Sequence, residues 1–144
     1  MEEEKTQAEL SKLDALHKRA TSVLFRCSTM FPFDLFPNTL LIDHNKVDII
    51  YRTFFGNSHT VSIPIAQLNY VGVESVFFLA TLKLETIGLE QNPAPLAMLG
   101  TRDAEMAKNI LFGLMAAEKH DIDLSAIPDE QMLAKVIEIG RAAG

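Results

Sequence analysis

The chain has 144 residues, 48% of them hydrophobic and 22% charged, with a formal net charge of −6. That length and composition fit one ordinary globular domain and exclude global disorder. The acidic balance argues against a nucleic-acid partner, whose phosphates require a basic footprint, and against unaided binding to an anionic membrane.

The first thirty residues read as an N-terminal helix. Leu10, Leu13, Leu16, Ala20 and Val23 or Leu24 recur at intervals of three and four, which gives one narrow apolar stripe. Glu2, Glu3 and Glu4 lie where a helix N-terminus favours anions. A stripe this narrow is not a core by itself, so the helix has to rest on another surface. Docking within the chain is the expected arrangement, and self-association through Leu10, Leu13 and Leu16 is the alternative. Cys27 is the one cysteine, so no intramolecular disulfide forms, which fits a reducing compartment. It reads as a small buried hydrophobe, because a reactive thiol needs a base or cation beside it. The N-terminus shows neither the basic start nor the apolar run of a secretory signal. The longest apolar run, Val76 to Ala80, is far short of the roughly 20 residues that cross a bilayer. A cytoplasmic location is therefore expected.

Residues 31–100 carry only nine charges but nine of the eleven aromatics, which suggests a sheet core with helices at both ends. Phe33 to Phe36, between Pro32 and Pro37, reads as an edge strand. Thr39 to Ile42 and Val47 to Thr53 are strands joined by a tight turn at Asp43-His44-Asn45-Lys46. Gly56-Asn57-Ser58 is a second turn, followed by a strand from His59 to Ile65 in which Pro64 demands an edge or a strand end. Leu68 to Glu74 and Phe77 to Thr86 are further strands. In the latter, Phe78, Ala80, Leu82 and Leu84 share the inward face. Phe77 then points outward and forms an apolar patch with Leu79, either covered by a terminal helix or marking a partner site. Pro95 to Leu99 is a last short strand. Thr101 reads as the N-cap of a helix with a broad apolar face made of Ala104, Ala107, Ile110, Leu111, Leu114 and Met115. Asp121 to Ile127 links it to a short final helix opened by Pro128.

Six or seven antiparallel strands followed by one amphipathic helix resemble the pleckstrin-homology-like fold. The resemblance extends to Phe36–Asp43 with Lys46–Ile50, to Ser62–Ile65 with Val71–Val73, to Phe77–Thr86, and to Arg102-Asp103-Ala104 with Ala107 and Ile110. These stretches look like those of small bacterial members of that family and cover residues 33–120. The resemblance implies an α+β fold: a strongly bent antiparallel barrel capped by a C-terminal helix, over residues 31–120. An extra N-terminal helix (1–30) and a short C-terminal helical extension (121–144) lie outside that pattern.

The resemblance also implies a binding or assembly module. Family members that bind phosphoinositides use basic residues in the first strand–strand loop. Here that loop offers one lysine, Lys46, between acidic neighbours, where multidentate phosphate recognition needs a cluster of cations. The candidate ligand residues are His44 and Lys46 in this turn, with Asn57 and His59 in the next, if the fold brings His44 near His59. No phosphate loop, metal motif or nucleophile elbow is present, so no catalytic residue, metal or cofactor is expected. The methionines read as gap fillers. The sequence thus points to a non-enzymatic module that binds protein, a second copy included, with Leu10, Leu13, Leu16, Phe77 and Leu79 as the candidate partner surface. A module for a lipid headgroup or peptide is the alternative, and a small enzyme the more distant one.

Overall fold

The computed structural model describes residues 1–20, 23–88, 90–124 and 127–143, without the side chains of 15–20. Its elements are α1 (Glu2–Ala20), β1 (Val23–Ser28), β2 (Thr39–Asp43), β3 (Lys46–Arg52), β4 (Ser58–Pro64), β5 (Leu68–Val76), β6 (Leu79–Thr86), β7 (Leu96–Gly100), α2 (Thr101–Lys119) and α3 (Asp129–Ala143). Among the described residues the strands form two antiparallel sheets, β1-β2-β3-β4 and β5-β6-β7, and no closed barrel. Each sheet is a meander whose period-two alternation selects the inward residues. Leu40 and Ile42 of β2, Val47 and Ile49 of β3, and Ala80, Leu82 and Leu84 of β6 are all buried. One continuous apolar cluster joins both sheets to Ile110, Leu111 and Leu114 of α2 and to Met132 and Val136 of α3.

Several expectations need correction. The N-terminal helix stops at Ala20, because Val23 to Ser28 pairs with β2, from Val23 opposite Asp43 to Ser28 opposite Thr39. Val23 and Phe25 are better strand formers than helix formers, and the pairing turns Cys27 into the core. Phe33 to Phe36 forms turns and bends, not an edge strand. Helix α1 does not dock on the chain over its described side chains: residues 1–14 are exposed, Leu10 at 47% and Leu13 at 60%. The expectations for the Leu16 and Ala20 side chains lie outside the described residues. Strand β6 begins at Leu79, so Phe77 and Phe78 are the two-residue connection of the β5–β6 hairpin. Phe78 is consequently 59% exposed and not a core residue. Gly100, not Thr101, is the N-cap of α2, and the Thr101 N–H is taken by the Phe78 carbonyl at 3.1 Å.

Strand β7 departs from strict alternation. Leu96 and Leu99 are both buried although three residues apart. The register slips there, with Leu82 opposite Leu96 but Ala80 opposite Leu99. Met98 absorbs the extra residue in the left-handed region, at φ 65°, which is how a bulge re-aims a strand. Met98 therefore faces outward and fills no gap in the core.

Helices α2 and α3 cross at backbone distance. A Cβ added to Gly113 of α2 would overlap the Val136 carbonyl of α3, and one added to Gly140 of α3 would overlap the Asn109 carbonyl of α2. The two glycines thus open reciprocal slots, and the neighbouring backbone cannot rotate aside as a side chain would. Gly140→Ala should destabilise the protein by about 1–3 kcal/mol, the usual range for overpacking. A lowered denaturant midpoint is expected, and an unchanged one would show that the helices separate at no cost.

Candidate functional site: an exposed aromatic rim

Chain direction places two connections at one end of the first sheet, and contacts of the 29–38 loop bring the β5–β6 turn beside them. Strand β1 runs into the 29–38 loop, β3 runs into the 53–57 turn, and β5 runs into the Phe77-Phe78 turn. A backbone bond from the Met30 N–H to the Met98 carbonyl, 2.8 Å, joins the 29–38 loop to β7 of the other sheet. The aromatic residues collect in these connections. Of the nine phenylalanines, seven are exposed, namely Phe31, Phe33, Phe36, Phe54, Phe55, Phe77 and Phe78, and none is buried in the core.

Ring contacts link five of them in two groups. Phe54 meets Phe55 edge to face at 4.5 Å between centroids, and Phe36 meets Phe54 at 5.3 Å. At the other end of the same loop Phe33 meets Phe78 at 5.7 Å. The 29–38 loop is thus the bridge between the two turns.

That bridge is held by polar groups turned inward. The buried Thr29 hydroxyl donates to Asp34 Oδ2 at 2.7 Å and accepts the Asn38 N–H at 2.8 Å. Asp34 Oδ1 accepts the Phe36 N–H at 3.1 Å. The Arg52 guanidinium donates to the Pro37 carbonyl at 3.0 Å and the Thr39 hydroxyl at 2.7 Å, while the Arg52 N–H donates to Asn38 Oδ1 at 2.8 Å. The polar side chains of the loop are spent on one another, on its own backbone and on Arg52, and its apolar side chains face water.

Two residues stand out on the rim. Phe55 is 88% exposed with φ 67°, and Phe77 is 94% exposed with φ 57°. A bulky residue in the left-handed region costs roughly 1–2 kcal/mol, and such positions usually take Gly or Asn. Beside Phe77 lies an apolar cleft of about 410 Å³, walled by Phe33, Val76, Phe78, Leu79 and Met98. Leu79, expected on the partner surface, is half-buried in that wall. Leu10 and Leu13 belong to α1 and do not line the cleft.

The candidate ligand residues are not brought together. His44 and Lys46 lie at one end of β3, Asn57 and His59 at the other, about 20 Å apart for a strand of this length. His44 is buried, with Nε2 3.0 Å from Asp129 Oδ1 and with Nδ1 lacking a hydrogen-bond partner. Asp43 Oδ1 shapes this turn by accepting the N–H groups of Asn45 and Lys46, and Lys46 Nζ lies 3.5 Å from Asp48. The Asn57 carbonyl accepts the Thr53 N–H at 2.9 Å, closing its turn. His59 stacks on Tyr51, whose hydroxyl donates to the Ala94 carbonyl at 2.6 Å. Among the described residues no three His, Cys, Asp or Glu side chains stand close enough to hold a metal ion, and no helix is long and apolar enough to cross a membrane. Comparison with known proteins matches the chain to no family model and to no curated protein.

Phe77 was expected to point outward and does, at 94% exposure, but the rest of the rim was illegible because aromatics in a charge-poor zone read equally well as core. The available signals were Phe55-Gly56, a glycine that permits a tight turn, and Pro32 and Pro37 bracketing the loop.

Burial, and to a lesser degree the negative charge of Asp103, pushes the Cys27 thiol from 9.0 up to about 12. Burial raises Tyr51 as well. The native thiol should resist alkylation at pH 8 and react only after unfolding. A raised pKa in the folded state contributes stability that is complete below pH 9 and declines as pH climbs toward 12, because the unfolded thiol ionises first. Thermal melts of Cys27→Ala between pH 9 and 11 should fall less steeply with pH than those of the wild type. Parallel slopes would show that Cys27 is not the group responsible.

Proposed function

We propose that this chain is a non-enzymatic protein-interaction module of pleckstrin-homology-like architecture, and that the aromatic rim is its docking surface. One observation carries this reading: seven phenylalanines are exposed on neighbouring connections. With about 200 Å² for a fully exposed phenylalanine, they leave on the order of 900 Å² in water. A standard interface takes about 800 Å² from each partner, so apolar exposure on this scale suffices for one. Left-handed backbone at Phe55 and Phe77 points the same way, since strain of this kind persists where function requires the side chain.

The headgroup alternative loses its donors, because His44 and Lys46 are engaged by Asp129 and Asp48. Seven consecutive strands, arranged as antiparallel meanders of four and three and followed directly by α2, support the architectural part of the proposal.

Affinity capture from the native host, comparing the wild type with a Phe54→Ser, Phe55→Ser, Phe78→Ser variant, tests the reading. These side chains are exposed, so the variant should fold, as judged by circular dichroism and thermal melting. The wild type should retain a partner that the variant loses. Retention of the same partner by both proteins would remove the rim from the interaction.

A further inference from the structure

We infer that helix α1 is a second contact surface, and that its occupant is α1 of another copy of this chain, lying antiparallel to it. This contact is separate from the rim and does not depend on the docking role proposed there.

Helix α1 has no surface of its own chain to rest on over its described side chains. Residues 1–14 are all exposed. Leu10 and Leu13, three residues apart and so neighbours on one face, are among them. Leu16 continues the interval in the sequence. A helix of 19 residues is marginal in water when nothing packs on it. A partner that covers the leucine stripe therefore stabilises the helix and the contact together.

The charge pattern selects that partner. Residues 2–10 hold four acids, Glu2, Glu3, Glu4 and Glu9, against one base, Lys5. Residues 11–20 hold three bases, Lys12, Lys18 and Arg19, against one acid, Asp14. The two halves of the helix are thus opposite in sign. This order suits the dipole of a single helix. It also makes α1 complementary to its own reverse. When two copies lie side by side in opposite directions, each acidic half meets a basic half, and a two-fold axis makes that contact twice. A parallel pair would set acid on acid and base on base.

The rest of the chain favours the same direction. Only one of the six net negative charges belongs to α1, so five lie beyond it. An antiparallel pair attaches the two bodies at opposite ends of a helix about 28 Å long. Their repulsion is then screened, because the Debye length at physiological salt is about 8 Å. A parallel pair would bring both acidic bodies to the same end. With only three leucines in the stripe, the contact is small, and the dimer belongs with weak, reversible associations.

Sedimentation equilibrium up to millimolar concentration, with hydrogen exchange of the α1 amides, tests this. The wild type should form a reversible dimer that weakens as salt is added, and protection of α1 should rise with concentration. Leu10→Ser with Leu13→Ser should raise the dissociation constant about a hundredfold, roughly tenfold for the leucines lost from each copy. Glu2→Lys, Glu3→Lys with Glu4→Lys makes both halves basic, and Lys12→Glu, Lys18→Glu with Arg19→Glu makes both acidic. Each charge variant alone should be monomeric, and an equimolar mixture of the two should pair. Gln7→Cys should give no disulfide-linked dimer on mild oxidation, because reversed helices hold the two positions apart and Cys27 is buried. The Phe54→Ser, Phe55→Ser, Phe78→Ser variant should dimerise like the wild type. A wild type that stays monomeric overturns the inference, and if the rim still captures a host protein, the docking reading stands. A monomer whose α1 amides are protected at every concentration would place the helix on its own body instead. A dimer indifferent to the leucine substitutions but lost in the rim variant would move self-association to the rim. Rapid linkage of Gln7→Cys, or a charge-variant mixture that stays monomeric, would exclude the antiparallel pair.

Discussion

The structure depends on an aliphatic core that closes without phenylalanine. Leu40, Ile42 and Ile49 from one sheet meet Leu82, Leu96 and Leu99 from the other, and Ile110, Leu111 and Leu114 of α2 complete the cluster. Branched aliphatic side chains pack at close to crystalline density in few rotamers, so this arrangement leaves little room for a ring. Phe25 and Phe112, the only phenylalanines not exposed, are half-buried at its margin. The other seven are displaced to neighbouring connections. Buried and exposed apolar residues are thus of different types in different places: aliphatics between the layers, aromatics on the turns.

The bridge between these two regions is polar. Thr29, Asp34, Asn38 and Arg52 form a short network that holds a ten-residue connection with side-chain bonds to backbone. Without it, ordering this loop would cost conformational entropy that its exposed rings could not offset. With it, the rings are held in a fixed order, and under the proposed docking role that lowers the entropic cost of association. Asp34 looks like an ordinary surface acid in the sequence, yet it receives both a hydroxyl and a backbone N–H.

Much of the architecture was legible in the sequence. The hairpin at Asp43–Lys46, Pro64 at the end of an edge strand, the inward set Ala80, Leu82 and Leu84, and the buried face of α2 followed from period and turn chemistry. The failures share a cause. Periodicity counts apolar residues but cannot tell which side of a bend they fall on. Phe78 continued the alternation of β6 in the sequence and lies beyond it in space, because the chain reverses at Phe77-Phe78 without the glycine or asparagine that would have announced a turn. Val23 to Ser28 extended the helical stripe of α1 until pairing with β2 claimed it. The split of His44 from His59 follows from the length of β3, which a search for juxtaposed residues ignores. Gly113 and Gly140 gave no signal, since glycine inside a helix reads as a weakness until a second helix is laid against it.

Left-handed backbone at Phe55 and Phe77 sets two selection pressures against each other. Asparagine or glycine at either position relaxes the turn and removes a large apolar surface from water, so both substitutions favour solubility and the isolated fold. Directed evolution under thermal challenge alone would accordingly enrich Asn and Gly at 55 and 77 and return a sturdier, better-behaved protein with a blank face. The same two positions kept as phenylalanine in a diverse pool, against that drift, would record that something outside the fold is being selected.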